Sequence, residues 1–200
     1  MKNIGILISG RGSNFEAIAH SLAGAETPAR ISMVISNRED AAGLDRARQM
    51  GINVRCVASQ GRQRERFELD LLAALREAAV DFICLAGFMR VLSPEFVSRY
   101  PNRILNVHPS LLPAFPGADA QRQALEHGVR ISGCTVHLVD TGVDSGPIVL
   151  QAAVPVADDD TVESLSARIL AQEHRIYPEA LRLLVEDRLC LQGRRVLLRP

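Results

Sequence analysis

The sequence predicts an α/β fold, a doubly wound and mostly parallel sheet with an antiparallel C-terminal extension. Three observations carry this expectation. Through residue 108, short β-rich apolar runs alternate with helical patterns, which is the signature of parallel strands joined by helical crossovers. From Asn106 to Gly117 the pattern breaks into a loop holding Pro109, Pro113 and Pro116. Beyond it, two apolar runs are joined only by Asp140-Thr141-Gly142-Val143-Asp144-Ser145-Gly146. That link leaves no room for a crossover helix, so the two strands must be antiparallel.

The elements follow in order. Ile4 to Ser9 is a continuous apolar run and reads as a buried strand. Asn14 to Leu22 reads as a helix, Ile31 to Ser36 as a strand, and Ala41 to Met50 as a helix ended by Gly51. Val54 to Val57 is a short third strand. Arg64 to Ala79 carries Phe67, Leu71, Leu72, Leu75 and Ala78 on one helical face. Phe82 to Ala86 is a fourth strand, Pro94 to Arg99 a helix that begins at proline, and Ile104 to His108 a fifth strand. Gln121 to His127 is a short helix. Ile131 to Val139 and Pro147 to Val156 are the antiparallel pair. Asp158 to Thr161 caps a last long helix, which Pro178 is expected to interrupt. With no repeat, low-complexity segment or linker, residues 1–200 are expected to form a single domain.

Composition narrows the function. Lys+Arg and Asp+Glu are both 23, so the formal net charge is zero, and a nucleic-acid partner is not expected. The cysteines at 56, 84, 134 and 190 stand singly, without CxxC spacing. They read as small buried hydrophobes in a reducing compartment rather than as a zinc or dithiol site. The apolar run at the N-terminus is short and stops at a glycine turn, and no run approaches the ~20 residues of a membrane helix. A membrane partner is not expected, and the default location is the cytoplasm.

Four segments could carry chemistry. Gly10-Arg11-Gly12-Ser13-Asn14 joins the first strand to the first helix. Glycines there let backbone approach a ligand, and free N–H groups at a helix start attract anions. Ser13-x-x-Glu16 also fits a capping box. A third fingerprint glycine is missing, since Phe15 stands there, so a phosphate is favoured over a dinucleotide. A turn that only connects strand to helix explains the same residues equally well. Asn106-Val107-His108-Pro109-Ser110-Leu111-Leu112-Pro113 lies at the carboxyl end of the fifth strand, where open α/β sheets bind ligands. Alternation puts Asn106 and His108 on one side, and an amide beside an imidazole suits oxyanion stabilisation and proton movement. Asp140-x-x-x-Asp144, in a turn with Gly142 and Gly146, offers carboxylates; one that reached a histidine would favour its charged form. Turns also favour Asp and Gly for their own sake. Ala86-Gly87-Phe88-Met89-Arg90-Val91-Leu92 follows the fourth strand and could line the pocket of a flat ligand or simply pack in the core. His20, His127, His137 and His174 form no metal-ligand spacing, and no metal is expected.

In this order and spacing, the chain resembles the folate-dependent formyltransferase family along essentially its whole length. The most specific pieces are Ile8-Ser9-Gly10-Arg11-Gly12-Ser13-Asn14, Leu85-Ala86-Gly87-Phe88-Met89-Arg90, Asn106 to Pro113, Asp144-Ser145-Gly146-Pro147, and Gln172-Glu173-His174-x-x-Tyr177-Pro178. The resemblance implies transfer of a formyl group from 10-formyltetrahydrofolate, as co-substrate, to the amine of 5-phosphoribosylglycinamide in de novo purine (IMP) biosynthesis. It implies a catalytic trio of Asn106, His108 and Asp144, with Asp144 raising the pKa of the histidine. Gly12, Ser13 and Asn14 match the family's ribosyl-phosphate loop, and Leu170, Ala171, Gln172 and Glu173 its glycinamide segment. Arg64, the stretch Met89, Arg90, Val91 and Leu92, and the stretch Asp140, Thr141, Gly142, Val143 and Asp144 match the folate-binding positions, with Asn106 beside them. Asp119 departs from relatives that carry His or Asn there. No metal is implied, the partners are the two small molecules, and the chain is expected to be a monomer or homodimer. Relatives that act on tRNA or hydrolyse the formyl-folate are expected to carry further domains, for which 200 residues leave no room, whereas a sugar-nucleotide formyltransferase is not set apart by length. From another class, a folate- or nucleotide-binding module without catalysis would be set apart by binding without product.

Overall fold

The structure, a computed structural model, describes residues 1–24 and 27–199. The chain divides into two compact units, Met1–Leu105 and Asn106–Pro200.

In the first unit the elements run β1 (Lys2–Ile8), α1 (Ser13–Ala23), β2 (Ala29–Ser36), α2 (Ala42–Gln49), β3 (Val54–Cys56), α3 (Arg64–Glu77), β4 (Phe82–Leu85) and α4 (Pro94–Ser98). β2 and β4 pair in parallel with the two edges of β1, and β3 pairs in parallel with β2, giving the order β3-β2-β1-β4. The chain therefore builds outward to β3 and then returns to the other side of β1. Such a reversal opens a crevice at the carboxyl ends of the two central strands, where open α/β sheets take ligands. Ile4, Ile6, Leu7 and Ile8 are fully buried, so consecutive residues on both faces of β1 are covered. Phe15 and Ile18 of α1, Leu44 of α2, and Phe67, Leu71 and Leu75 of α3 supply core from the helices.

Two details of this unit differ from expectation. Gly12 is the N-cap of α1, in the left-handed region at φ +79° with no side-chain cap bond. Ser13 is thus already helical, one position too late to cap, and Glu16 pairs with Arg46 of α2 instead of closing a capping box. Cys56 is exposed rather than buried, because it ends the short edge strand β3. Cys84 and Cys134 are buried as expected, and burial pushes the Cys134 thiol up to about 12, which keeps it protonated.

β5 (Ile104–His108) carries the chain into the second unit, followed by α5 (Ala120–Glu126), β6 (Ile131–Leu138), β7 (Ile148–Pro155), α6 (Val162–Val185), β8 (Leu189–Gln192) and β9 (Arg195–Leu198). β6 and β7 are antiparallel, from Ile131 opposite Pro155 to His137 opposite Ile148, with a register shift between Val136 and His137. β8 and β9 form an antiparallel hairpin, and β9 pairs with β7 at Ile148 and Arg195. The expected fold class, α/β and mostly parallel with antiparallel strands at the C-terminal end, is what the chain forms. α6 starts at a Thr161–Ser164 capping box and buries Leu165, Ile169, Ile176, Tyr177 and Leu181. Pro178 does not interrupt it. The residue is buried inside the continuous helix, and packing of that apolar face compensates for the N–H that proline lacks.

Candidate active site

In the first unit, the loops after β1 and β4 lie together at the crevice. Ser9 N donates to Gly87 O at 3.1 Å, and Met89 N donates to Ser9 Oγ at 2.8 Å. Ser9 Oγ in turn donates to Asn37 Oδ1 at 2.6 Å, and Asn37 Nδ2 to Ser59 Oγ at 2.9 Å. This buried chain of polar groups ties the carboxyl ends of β1 and β2 to the loop that bears Met89. It also explains why Asn37, where a dinucleotide-binding fold would want an acidic residue, points inward.

Gly12, Ser13 and Asn14 form the bend into α1. A Cβ built on Gly12 would come within 2.9 Å of Gly43 Cα, and Gly43 N donates to Gly10 O at 3.0 Å. The glycine loop and the start of α2 are thus packed backbone to backbone. Gly12→Ala is expected to cost roughly 1–2 kcal/mol for the left-handed conformation alone, more once the contact with Gly43 is counted. Urea denaturation of the variant checks this, and wild-type stability would mean that the loop relaxes freely.

Arg64 is the exposed first residue of α3. Met89 and Val91 are 75% and 54% exposed, an unusual outlay of apolar surface, while Leu92 is buried. The Arg90 guanidinium lies 6.0 Å over the Phe67 ring, which stacks on Phe88. Glu68, on the core face of α3, is buried because its carboxylate accepts from Ser93 N at 2.8 Å and from the Ser93 hydroxyl, fixing the start of α4.

The second unit brings Asn106, His108 and Asp144 together. Asn106 and His108 project from the same face of β5. Asp144 sits at φ +49°, in the left-handed conformation that Asp tolerates better than most residues. At Gly146 a Cβ would come within 1.8 Å of Leu138 O, so only glycine allows the chain to turn back there. Within the turn, Asp140 Oδ1 accepts from Gly142 N at 3.0 Å and from Ser145 Oγ at 2.7 Å, while Thr141, Gly142 and Val143 are exposed. Arg194, in the bend of the β8–β9 hairpin, donates to Ser145 O at 2.6 Å.

Asp144 is the hub. Its Oδ2 accepts from Gly117 N at 2.8 Å and faces His108 Nδ1 at 3.2 Å; its Oδ1 accepts from Asn106 Nδ2 at 3.3 Å. Burial pushes the carboxyl pKa up, the Gly117 N–H and the nearby His108 act against it, and the group stays below the usual carboxylate range. His108 is 5% exposed, and its Nε2 lies 2.8 Å from Phe115 O. Both ring nitrogens therefore face acceptors, and only the doubly protonated ring can donate to both. An amide donor and an imidazole, each within hydrogen-bond reach of one carboxylate, can stabilise a developing oxyanion and move a proton.

The loop beyond His108 is held from β6 and β7. Thr135 Oγ1 donates to Ser110 O at 2.7 Å and accepts from Leu112 N at 3.0 Å, and Gln151 Nε2 donates to Leu112 O at 3.0 Å. The Leu112–Pro113 peptide is cis. Glu173 is buried on α6, with Leu170 and Gln172 half-buried and Ala171 exposed. Asp119 is the exposed N-cap of α5, at φ +56° and without a side-chain cap bond.

One residue escaped the sequence reading. His137 of β6 is 2% exposed, and its Nε2 lies 3.2 Å from Asn106 Nδ2 and 3.6 Å from Asp144 Oδ1. The available signal was a ring with polar nitrogens inside the otherwise apolar run Cys134-Thr135-Val136-His137-Leu138.

The profile of the family described as "Formyl transferase" matches residues 2–181, across the boundary of the two units. A phosphoribosylglycinamide formyltransferase of Escherichia coli is 45% identical over 94% of this chain and 89% of its own. The human trifunctional purine biosynthetic protein adenosine-3 is 47% identical over 90% of this chain, which spans only 18% of that protein's length. The crystal structure of glycinamide ribonucleotide transformylase 1 from Symbiobacterium toebii superposes with a TM-score of 0.96, at 54% identity over 99% of this chain and 94% of that one. The chain belongs to the formyl transferase family.

Proposed function

We propose that this chain transfers the formyl group of 10-formyltetrahydrofolate to the amine of 5-phosphoribosylglycinamide, a step of de novo purine biosynthesis in the cytoplasm, and that residues 1–200 act as one formyltransferase domain. The observation that carries the chemistry is the cluster of Asn106, His108 and Asp144 within 3.3 Å contacts. The choice of acceptor is supported by the E. coli relative, whose name states that reaction and which is 45% identical.

The acceptor amine attacks the formyl carbon, and the carbonyl oxygen becomes a tetrahedral oxyanion. Asn106 Nδ2–H and the protonated His108 ring donate to it, and Asp144 gives that ring a counter-charge. As the intermediate collapses, His108, or a water that it holds, gives a proton to the departing folate nitrogen, and the proton that the amine loses replaces it. The products are the formylated amine and tetrahydrofolate, with no metal in any step. Gly12, Ser13 and Asn14 take the ribosyl phosphate on backbone N–H groups at the positive end of α1. Leu170, Ala171, Gln172 and Glu173 face the glycinamide. Arg64, Met89 to Leu92 and Asp140 to Asp144 hold the folate, Arg64 by charge and the exposed Met89 and Val91 by apolar contact.

Glu173→Gln is expected to raise KM for the acceptor roughly tenfold, since a charge-assisted hydrogen bond exceeds a neutral one by about 1–1.5 kcal/mol, while KM for the folate stays put. An unchanged acceptor KM would make Glu173 a structural residue. The reaction itself is tested by supplying 10-formyltetrahydrofolate with competing amine acceptors. Formylated 5-phosphoribosylglycinamide is the expected product. Free formate, or a preference for a different amine, would replace this assignment with hydrolysis or another transfer.

A further inference from the structure

We propose that His137 is a positioning residue that fixes which end of the Asn106 amide faces the reacting formyl group. The proposal rests on the formyl-transfer reading for its kinetic consequence, but not for its geometry. His137 Nδ1 lies 3.0 Å from Leu138 O, and a carbonyl can only accept. Nδ1 therefore carries the ring proton, and in the neutral ring Nε2 is left as a lone pair. Two groups face that nitrogen. Asp144 Oδ1, at 3.6 Å, is beyond hydrogen-bond reach and has nothing to donate. Asn106 Nδ2, at 3.2 Å, is within reach, so its N–H fills the lone pair.

The consequence falls on Asn106. With one N–H on His137 Nε2, the planar amide directs its second N–H towards Asp144 Oδ1, at 3.3 Å. The reverse orientation would set the amide oxygen against two acceptors at once. The terminal torsion of asparagine is otherwise broad, with its oxygen and nitrogen ends of nearly equal size. A polar lock is therefore needed to keep the donor end in place. The long contact to Asp144 is the one that an arriving formyl oxygen can replace, while the bond to His137 persists and keeps the amide from turning over. His137 is buried on β6 next to the register shift after Val136, which sets the ring against Asn106.

Nitrogen-15 NMR of the ligand-free protein at neutral pH tests the geometry without any turnover. His137 should show a protonated Nδ1 and a bare Nε2 coupled to an Asn106 side-chain proton; a proton on Nε2 overturns the proposal. Kinetics then tests the consequence. His137→Phe keeps a ring but loses the lone pair, and kcat should fall roughly tenfold to a hundredfold with both KM values little changed, as for a misaligned oxyanion donor. His137→Gln, whose amide oxygen can accept in place of Nε2, should recover most of the loss. In an Asn106→Ala background, His137→Phe should have no further effect. A full multiplicative loss there, or no rescue by Gln, means that His137 acts through packing and the proposal fails. A wild-type chain that folds but transfers no formyl group would instead refute the reaction, and the NMR result would still decide the tautomer.

Discussion

Asn106→Ala and His108→Ala will each lower kcat on the order of a hundredfold or more, while KM for both substrates shifts far less. Only interactions that strengthen in the transition state raise the rate of the chemical step, and the charge that develops here is on the formyl oxygen. His108 is 5% exposed and Asn106 half-buried, and donors aimed from such partly or fully shielded positions are worth more than in bulk water. The two residues differ in how they respond to acid and base. An amide does not titrate, so the ratio of wild-type to Asn106→Ala activity should be constant across the pH range in which the fold holds. Residues that serve one oxyanion act as a unit, so the double variant should lose less than the product of the single losses. Steady-state kinetics of the two variants and of their combination decides this. A kcat within a few-fold of wild type for either single variant would remove that side chain from the surroundings of the oxyanion.

The parts of the molecule that were legible in the sequence are those governed by local rules. The alternation of apolar runs and helical faces gives β1 to β5 with their crossovers, because burial on both faces of a parallel strand forces a continuous run such as Ile4–Ile8. The short link at residues 140–146 gives the antiparallel β6–β7 pair for a purely geometric reason. Asn106 and His108 share a face of β5 by alternation, and the resemblance added Asp144, whose approach to His108 no spacing rule supplies.

What was not legible depends on contacts between distant residues or on conformations that residue type only permits. The β8–β9 hairpin of Leu189–Leu198 has strands of four residues and a bend at Gly193-Arg194, too short for period-2 alternation to register. Ser13 looks like an N-cap until the left-handed Gly12 takes that position. Pro178 looks like a break, yet the buried face of α6 carries the helix through it. Glu68 looks like a solvated helix residue until Ser93 is brought against it. His137 falls in the same class: its role comes from two nitrogen contacts, to Leu138 O and Asn106, that no spacing along the chain encodes.

Asp144→Asn will lower kcat by on the order of a hundredfold or more and will also destabilise the fold, and the two effects have separate signatures. An asparagine can offer its oxygen to only one side. If that oxygen takes the Oδ2 position, it still accepts from Gly117 N and faces His108 Nδ1, but its NH2 group then opposes Asn106 Nδ2, donor to donor. The reverse orientation opposes Gly117 N–H and His108 instead. Either way a buried donor loses its acceptor, at a cost of about 1–3 kcal/mol, and the His108 ring loses its counter-charge. Because His108 and Asp144 act as a pair, His108→Ala combined with Asp144→Asn should be little worse than the worse single variant. The stability effect follows from the lowered carboxyl pKa. Burial raises it, the Gly117 N–H and the nearby His108 act against burial, and the folded value lies below the unfolded one. Ionised Asp144 therefore contributes stability that is fully present above the unfolded carboxylate pKa of about 3.9 and is lost as pH falls through the lower folded value. The stability gap between wild type and Asp144→Asn should be flat from neutral pH down to about pH 4 and narrow only below it. Urea denaturation across that range measures the gap. If wild type instead gains stability relative to Asp144→Asn as pH falls from 7 to 5, burial dominates, the folded carboxyl is raised rather than lowered, and Asp144 cannot serve as the counter-charge to His108.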